Sequence, residues 1–144
     1  MSDFRTLSDV MLASPQIEPE DIAAAKDSGI TLIVNNRPDG EDPGAPQGEE
    51  IEAAAKAVGI EYRAIPIGHA GFSEVQVAEM VEALEGADGK VLAYCRSGTR
   101  STFLWALAQA KSGAMSPEEI AAAAMQAGYD VSPIRPMIDM LAAR

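Results

Sequence analysis

Residues 90–111 read KVLAYCRSGTRSTFLWALAQAK, an apolar run of strand length, a short loop of small and basic residues, and a second apolar run of helical length. VLAYC has the continuous apolar character of a strand buried on both faces. The stretch from Thr99 to Lys111 is apolar enough for a buried helix, with Trp105 assigned to the core. In α/β proteins ligands bind beyond the carboxyl ends of the strands, where the chain turns into the next helix, and Cys95 falls at that point.

The loop after Cys95 holds Arg96, Ser97, Gly98, Thr99, Arg100 and Ser101, spaced as C-x-x-G-x-R-S. Small residues and one glycine can curl so that successive backbone N–H groups point at a single anion, and the helix start adds its positive dipole end. A thiol in that setting is expected to be held as the nucleophilic thiolate. Arg100 can offer a bidentate fork to a tetrahedral oxyanion or a sulfur-bearing anion, and the Ser101 and Thr102 hydroxyls are expected to donate to the sulfur. A lone cysteine is often a packed apolar group. The strand, motif and helix around Cys95 favour the reactive thiol instead.

Outward from this stretch the pattern alternates. ITLIVN, residues 30–35, is a second buried strand, and IEYRAIPI, residues 60–67, a third. Phe4 to Ala13 reads as a pair of short strands or a hairpin. Helices are predicted over residues 19–28, 47–58, from the N-cap Ser73 to Gly86, from Ser116-Pro117-Glu118-Glu119 to Gly128, and over residues 133–143. Residues 36–46 are rich in Asn, Pro, Asp and Gly and form a long loop of a kind that is often functional. The fold class is therefore α/β, a central and mostly parallel sheet with helices on both faces, in one domain over residues 1–144.

Apolar residues are 47% of the chain and charged residues 23%, which suits a folded domain with a polar surface. A net charge of −11 repels phosphate backbones and argues against nucleic acid as a partner. No apolar run approaches membrane-spanning length, and the start, MSDFRTLSDVML, lacks the features of an export signal. With one cysteine, no internal disulfide can form. A cytoplasmic location and no membrane partner are expected. One Cys and one His among scattered carboxylates make no recognisable metal site, and no cofactor is expected.

AYCRSGTRS after a strand resembles the signature loop of the tyrosine and dual-specificity phosphatases and the active-site loop of rhodanese sulfurtransferases. With IVNNRPDGE, GIEYRAIPI and the terminal segment, nearly the whole chain resembles the beta-lactamase-hydrolase-like, phosphatase-like domain family (DUF442). The resemblance implies a cysteine-phosphatase-like fold with Cys95 as nucleophile and Arg100 as anion-binding arginine. The resembled domain can occur fused to a metallo-hydrolase.

Two departures from the phosphatase pattern bear on the reaction. The phosphatase loop places five residues between cysteine and arginine, whereas four separate Cys95 from Arg100. The tighter loop is closer to a rhodanese cradle. Phosphatases also use an acid, normally an Asp after the strand that IEYRAIPI resembles, and here that loop is Gly68-His69-Ala70-Gly71-Phe72. His69 could protonate the leaving oxygen, as could Asp39 if the long loop folds over the site. Arg37 and Asp39 could position substrate, but fastening their loop by a salt bridge and an Asx-turn is the favoured reading. Sulfur transfer needs no acid: the thiolate takes sulfur as a persulfide and passes it to a thiol acceptor. The leading expectation is thus a sulfurtransferase using a small anionic sulfur donor. The alternatives are a phosphatase acting through a phosphocysteine, and a non-enzymatic module binding an anion or a phosphorylated partner.

Overall fold

A computed structural model describes residues 2–144. They run β1 (Arg5–Ser8), β2 (Met11–Ser14), α1 (Asp21–Asp27), β3 (Ile30–Asn35), α2 (Gly48–Ala57), β4 (Glu61–Ala64), α3 (Glu74–Gly86), β5 (Lys90–Tyr94), α4 (Thr99–Ser112), α5 (Pro117–Gln126), a 3-10 turn (Ser132–Ile134) and α6 (Arg135–Ala142). The strands form one sheet in the order β1-β2-β5-β3-β4. β1 is antiparallel to β2, and every other pairing is parallel.

The continuous apolar runs of β3 and β5 are explained by their central place. Val91 and Ala93 of β5 face one core with Leu32 and Val34 of β3, and this core is completed by α3, α4, α5 and α6. Leu92 and Tyr94 face the opposite core, closed by Ile22 and Ala25 of α1 and Ile51 and Ala55 of α2. Each large side chain removed from water in this way contributes roughly 1.5–3 kcal/mol. Trp105 is buried in the first core, as its sequence setting predicts.

Three boundaries differ from the sequence expectation. The first helix begins at Asp21 rather than near Pro19, because the Asp21 carboxylate accepts from the Glu18 N–H and closes a turn ahead of it. Strand β4 ends at Ala64 because Pro66 has no N–H to continue the ladder, although Ile65 and Ile67 still donate to the carbonyls of Asn35 and Asn36. At the C-terminus Asp130 accepts from the Ser132 N–H and hydroxyl, so a 3-10 turn precedes α6. Ser73 and Ser116 each cap their helix through a capping box. Among the described residues no helix is long and apolar enough to cross a membrane.

Candidate active site

Four parallel strands end on one edge of the sheet, and the middle of that edge belongs to β5. Cys95 is the next residue; its N–H donates to the Ser14 carbonyl at the end of β2. The thiol is buried, and the Gly98 N–H donates to Sγ at 3.1 Å. The carbonyls of the turn are fastened to the framework. Arg96 accepts from the Gln16 N–H, Ser97 from the Tyr129 hydroxyl, and Gly98 from both the N–H and the hydroxyl of Thr102.

Glycine at position 98 has two causes. Its φ is +92°, where an L side chain is strained. A Cβ there would also lie 2.0 Å from the Tyr129 hydroxyl. The phenol that holds the Ser97 carbonyl thus leaves room only for a hydrogen on the next residue.

Arg100, in the first turn of α4, is held by a residue that sequence reasoning missed. Its Nη1 and Nη2 donate to Oε2 and Oε1 of Glu41, both at 2.8 Å, and Nη1 also donates to the Ile67 carbonyl at 2.8 Å. Glu41 Oε1 accepts in addition from Arg37 Nε at 2.8 Å. The hydrogen bond from Arg100, joined by that of Arg37, pulls the Glu41 carboxyl down to about 2. Arg100 is raised above the ordinary guanidinium range, first by Glu41, with the Cys95 sulfur contributing. No local motif marks Glu41, since it lies 59 positions before Arg100 in the chain.

The Ser101 and Thr102 hydroxyls do not donate to the sulfur as expected. Ser101 Oγ donates to Asn36 Oδ1 at 2.8 Å, and Thr102 Oγ1 to the Gly98 carbonyl at 2.9 Å. The reason is the buried Asn36, whose Nδ2 donates to the Ile65 carbonyl, leaving Oδ1 to be satisfied from α4. Asn36 ties together the ends of β3, β4 and β5 and the first turn of α4.

The other sequence candidates are scattered around this centre. Arg96 and Ser97 are exposed, and Ser97 Oγ accepts from the Thr99 N–H while donating to the Thr99 hydroxyl. Arg37 is nearly buried, reaching Gln16 Oε1 as well as Glu41, and its salt-bridge partners are Glu41 and Asp42. Asn35 Oδ1 accepts the Arg37 N–H in an Asx-turn. Asp39 accepts from the Gly48 N–H at the start of α2, which keeps it with its own loop. His69 is exposed, two residues from the Ile67 carbonyl that holds Arg100. Among the described residues no group of three or more His, Cys, Asp or Glu side chains is placed to hold a metal.

Residues 3–112 match a family model described as the phosphatase-like domain of beta-lactamase hydrolase-like protein. The beta-lactamase hydrolase-like protein of Xylella fastidiosa is 34% identical over 103 residues, covering 72% of this chain and 24% of that protein. The chain thus spans about a quarter of the length of this curated relative. A candidate phosphatase of Neisseria meningitidis superposes with a TM-score of 0.85 at 28% identity, over 98% of this chain and 99% of that one. TpbA of P. aeruginosa, solved in complex with pTyr, superposes with a TM-score of 0.66 at 14% identity over 98% of this chain and 88% of its own, which shows a shared fold.

Proposed function

This chain belongs to the phosphatase-like domain family of beta-lactamase hydrolase-like proteins, and from that premise we propose that it is a cysteine-dependent phosphatase. The observation that carries the reading is the Cys95 sulfur at the end of β5, with the Gly98 N–H at 3.1 Å and Arg100 beside it. The thiolate attacks phosphorus, and the P–S bond forms as the bond from phosphorus to the leaving oxygen breaks. The loop N–H groups and Arg100 hold the equatorial oxygens, where preorganised donors lower the barrier most. Water then attacks the phosphocysteine, the P–S bond breaks, and phosphate leaves with the thiolate restored.

The leaving oxygen must take up a proton. Asp39 is bound to the Gly48 N–H, and Glu41 is held as an anion between two guanidinium groups, so His69 is the candidate acid. A phenol, with a pKa near 10, departs with less help than an alcohol. Aryl phosphates are therefore the favoured substrates, in keeping with the pTyr bound by TpbA.

Release of phosphate from p-nitrophenyl phosphate and phosphotyrosine, by the native chain and by Cys95→Ser, tests this reading. Turnover that survives in Cys95→Ser would sink it. Sulfur transfer is the second reading, favoured by the four-residue spacing of Cys95 and Arg100 and by the lack of a fixed acid. None of the relatives described above carries the name of a sulfurtransferase. Intact mass after thiosulfate treatment decides it, since a persulfide adds one sulfur to Cys95. Phosphate binding with no turnover of either kind would leave a binding module.

A further inference from the structure

We propose that Glu41 is a positioning residue for Arg100, holding one edge of the guanidinium so that the other faces the bound oxyanion. This inference rests on the phosphatase reading for its substrate and on donor geometry for its substance.

An arginine has five N–H donors: one on Nε and two on each Nη. In Arg100 both donors of Nη1 are used, by Glu41 Oε2 and the Ile67 carbonyl, and one donor of Nη2 by Glu41 Oε1. Nε–H and the second Nη2–H remain. They lie on one edge of the planar fork, parallel to each other, in the arrangement that grips two oxygens of a phosphoryl group. Bidentate binding by Glu41 thereby selects which edge is offered.

Glu41 is itself held in place. Its Oε1 accepts from Arg37 Nε, Arg37 Nη1 donates to Gln16 Oε1, and the Gln16 N–H donates to the Arg96 carbonyl of the cysteine loop. The chain of contacts from Arg100 through Glu41, Arg37 and Gln16 ends on the loop that immediately precedes α4. Glu41 could instead be a plug that occupies the oxyanion site. Against this, its carboxylate accepts only from the two guanidinium groups, and among the described residues no loop N–H donates to it.

The test measures tungstate affinity by calorimetry, which needs no turnover, together with kcat and KM for p-nitrophenyl phosphate. Glu41→Gln keeps the shape but loses the charge and one acceptor, and it should weaken tungstate binding and kcat/KM each by about tenfold or more. Glu41→Asp, which restores the charge on a shorter stem, should recover part of both. Unchanged affinity in Glu41→Gln would overturn the proposal, and tighter binding would show a plug. If Glu41→Gln fails to fold, Arg37→Gln takes its place, with a loss of about threefold expected from removing the support behind Glu41 and an unchanged affinity overturning the proposal. A native chain that binds tungstate in a Glu41-dependent way but hydrolyses no phosphate ester would uphold the positioning role and reject the phosphatase. A native chain that binds no tungstate rejects both.

Discussion

Two loops leave the carboxyl edge of the sheet beside Cys95, residues 95–98 after β5 and residues 65–73 after β4. In the first, every carbonyl from Arg96 to Gly98 is tied to the framework, by Gln16, Tyr129 and Thr102, and the Gly98 N–H meets the sulfur. In the second, Ile65 and Ile67 are buried and bound to the end of β3, and Phe72 packs on Phe103. Between them Gly68, His69 and Ala70 are exposed, and the backbone is held by a local turn from the Gly71 N–H to the Gly68 carbonyl. The comparison separates two tasks. Under the proposed phosphatase reading, holding the thiol and an anion falls to a loop fastened to the framework, while delivering a proton would fall to a segment with few anchors. Chemistry that depends on the first loop should be sensitive to small changes in packing, and chemistry that depends on the second should vary with the substrate.

The largest effect should come from Cys95→Ser, which leaves the framework intact and should lower phosphate release by at least about 10³-fold in an initial-rate assay. Next comes Gly98→Ala, where backbone strain and the clash with Tyr129 together should cost about 2–4 kcal/mol in denaturant unfolding. Adding Tyr129→Phe removes the nearest atom and should return part of that loss. Were Gly98→Ala neutral, the first loop would be no more fixed than the second.

His69→Ala sharpens the other half. If the exposed imidazole is the acid, phenyl phosphate turnover should fall by roughly 10²-fold while p-nitrophenyl phosphate, with its better leaving group, changes little. Equal losses on both substrates would place the proton donor elsewhere.

The smallest effect is a stability difference in acid. Glu41 has a folded-state pKa of about 2 against an ordinary 4.5, a depressed value, so its contribution is fully present above about pH 4.5 and is lost as pH falls toward 2. Across that window the native chain should lose stability more steeply than Glu41→Gln, as read from denaturant midpoints. Parallel curves would mean that the Arg100 and Arg37 contacts do not persist in solution.

Much of this fold was legible because its signals are local. The β3 and β5 runs, the two Ser-capped helices and the placement of Cys95 between strand and helix each need only a few neighbouring residues. Gly98 was legible as a turn residue, but not as the counterpart of Tyr129, which arrives from beyond α5. For Ser101 the sequence offers the sulfur of its own motif as the expected partner. Its actual partner, Asn36, is 65 residues away and competes for the hydroxyl because a buried amide must be satisfied. Glu41 stood in a run of turn residues whose local chemistry explains them fully, so nothing short of the tertiary contact singles it out. The sulfur-transfer expectation rests on the four-residue spacing and on the lack of an Asp in residues 68–72, two local features, whereas the relatives point to phosphatases.

The phenol of Tyr129 lies beyond residue 112, where the family match stops. A gene fragment cut there would still encode the whole C-x-x-G-x-R-S signature, yet it would discard the backstop on which Gly98 leans and the α5 and α6 side chains that shield α4. Transplanting the signature into a new host would meet the same difficulty. The unit that keeps this loop packed is therefore larger than residues 3–112, and in shortened versions thiol reactivity should be measured before activity is compared.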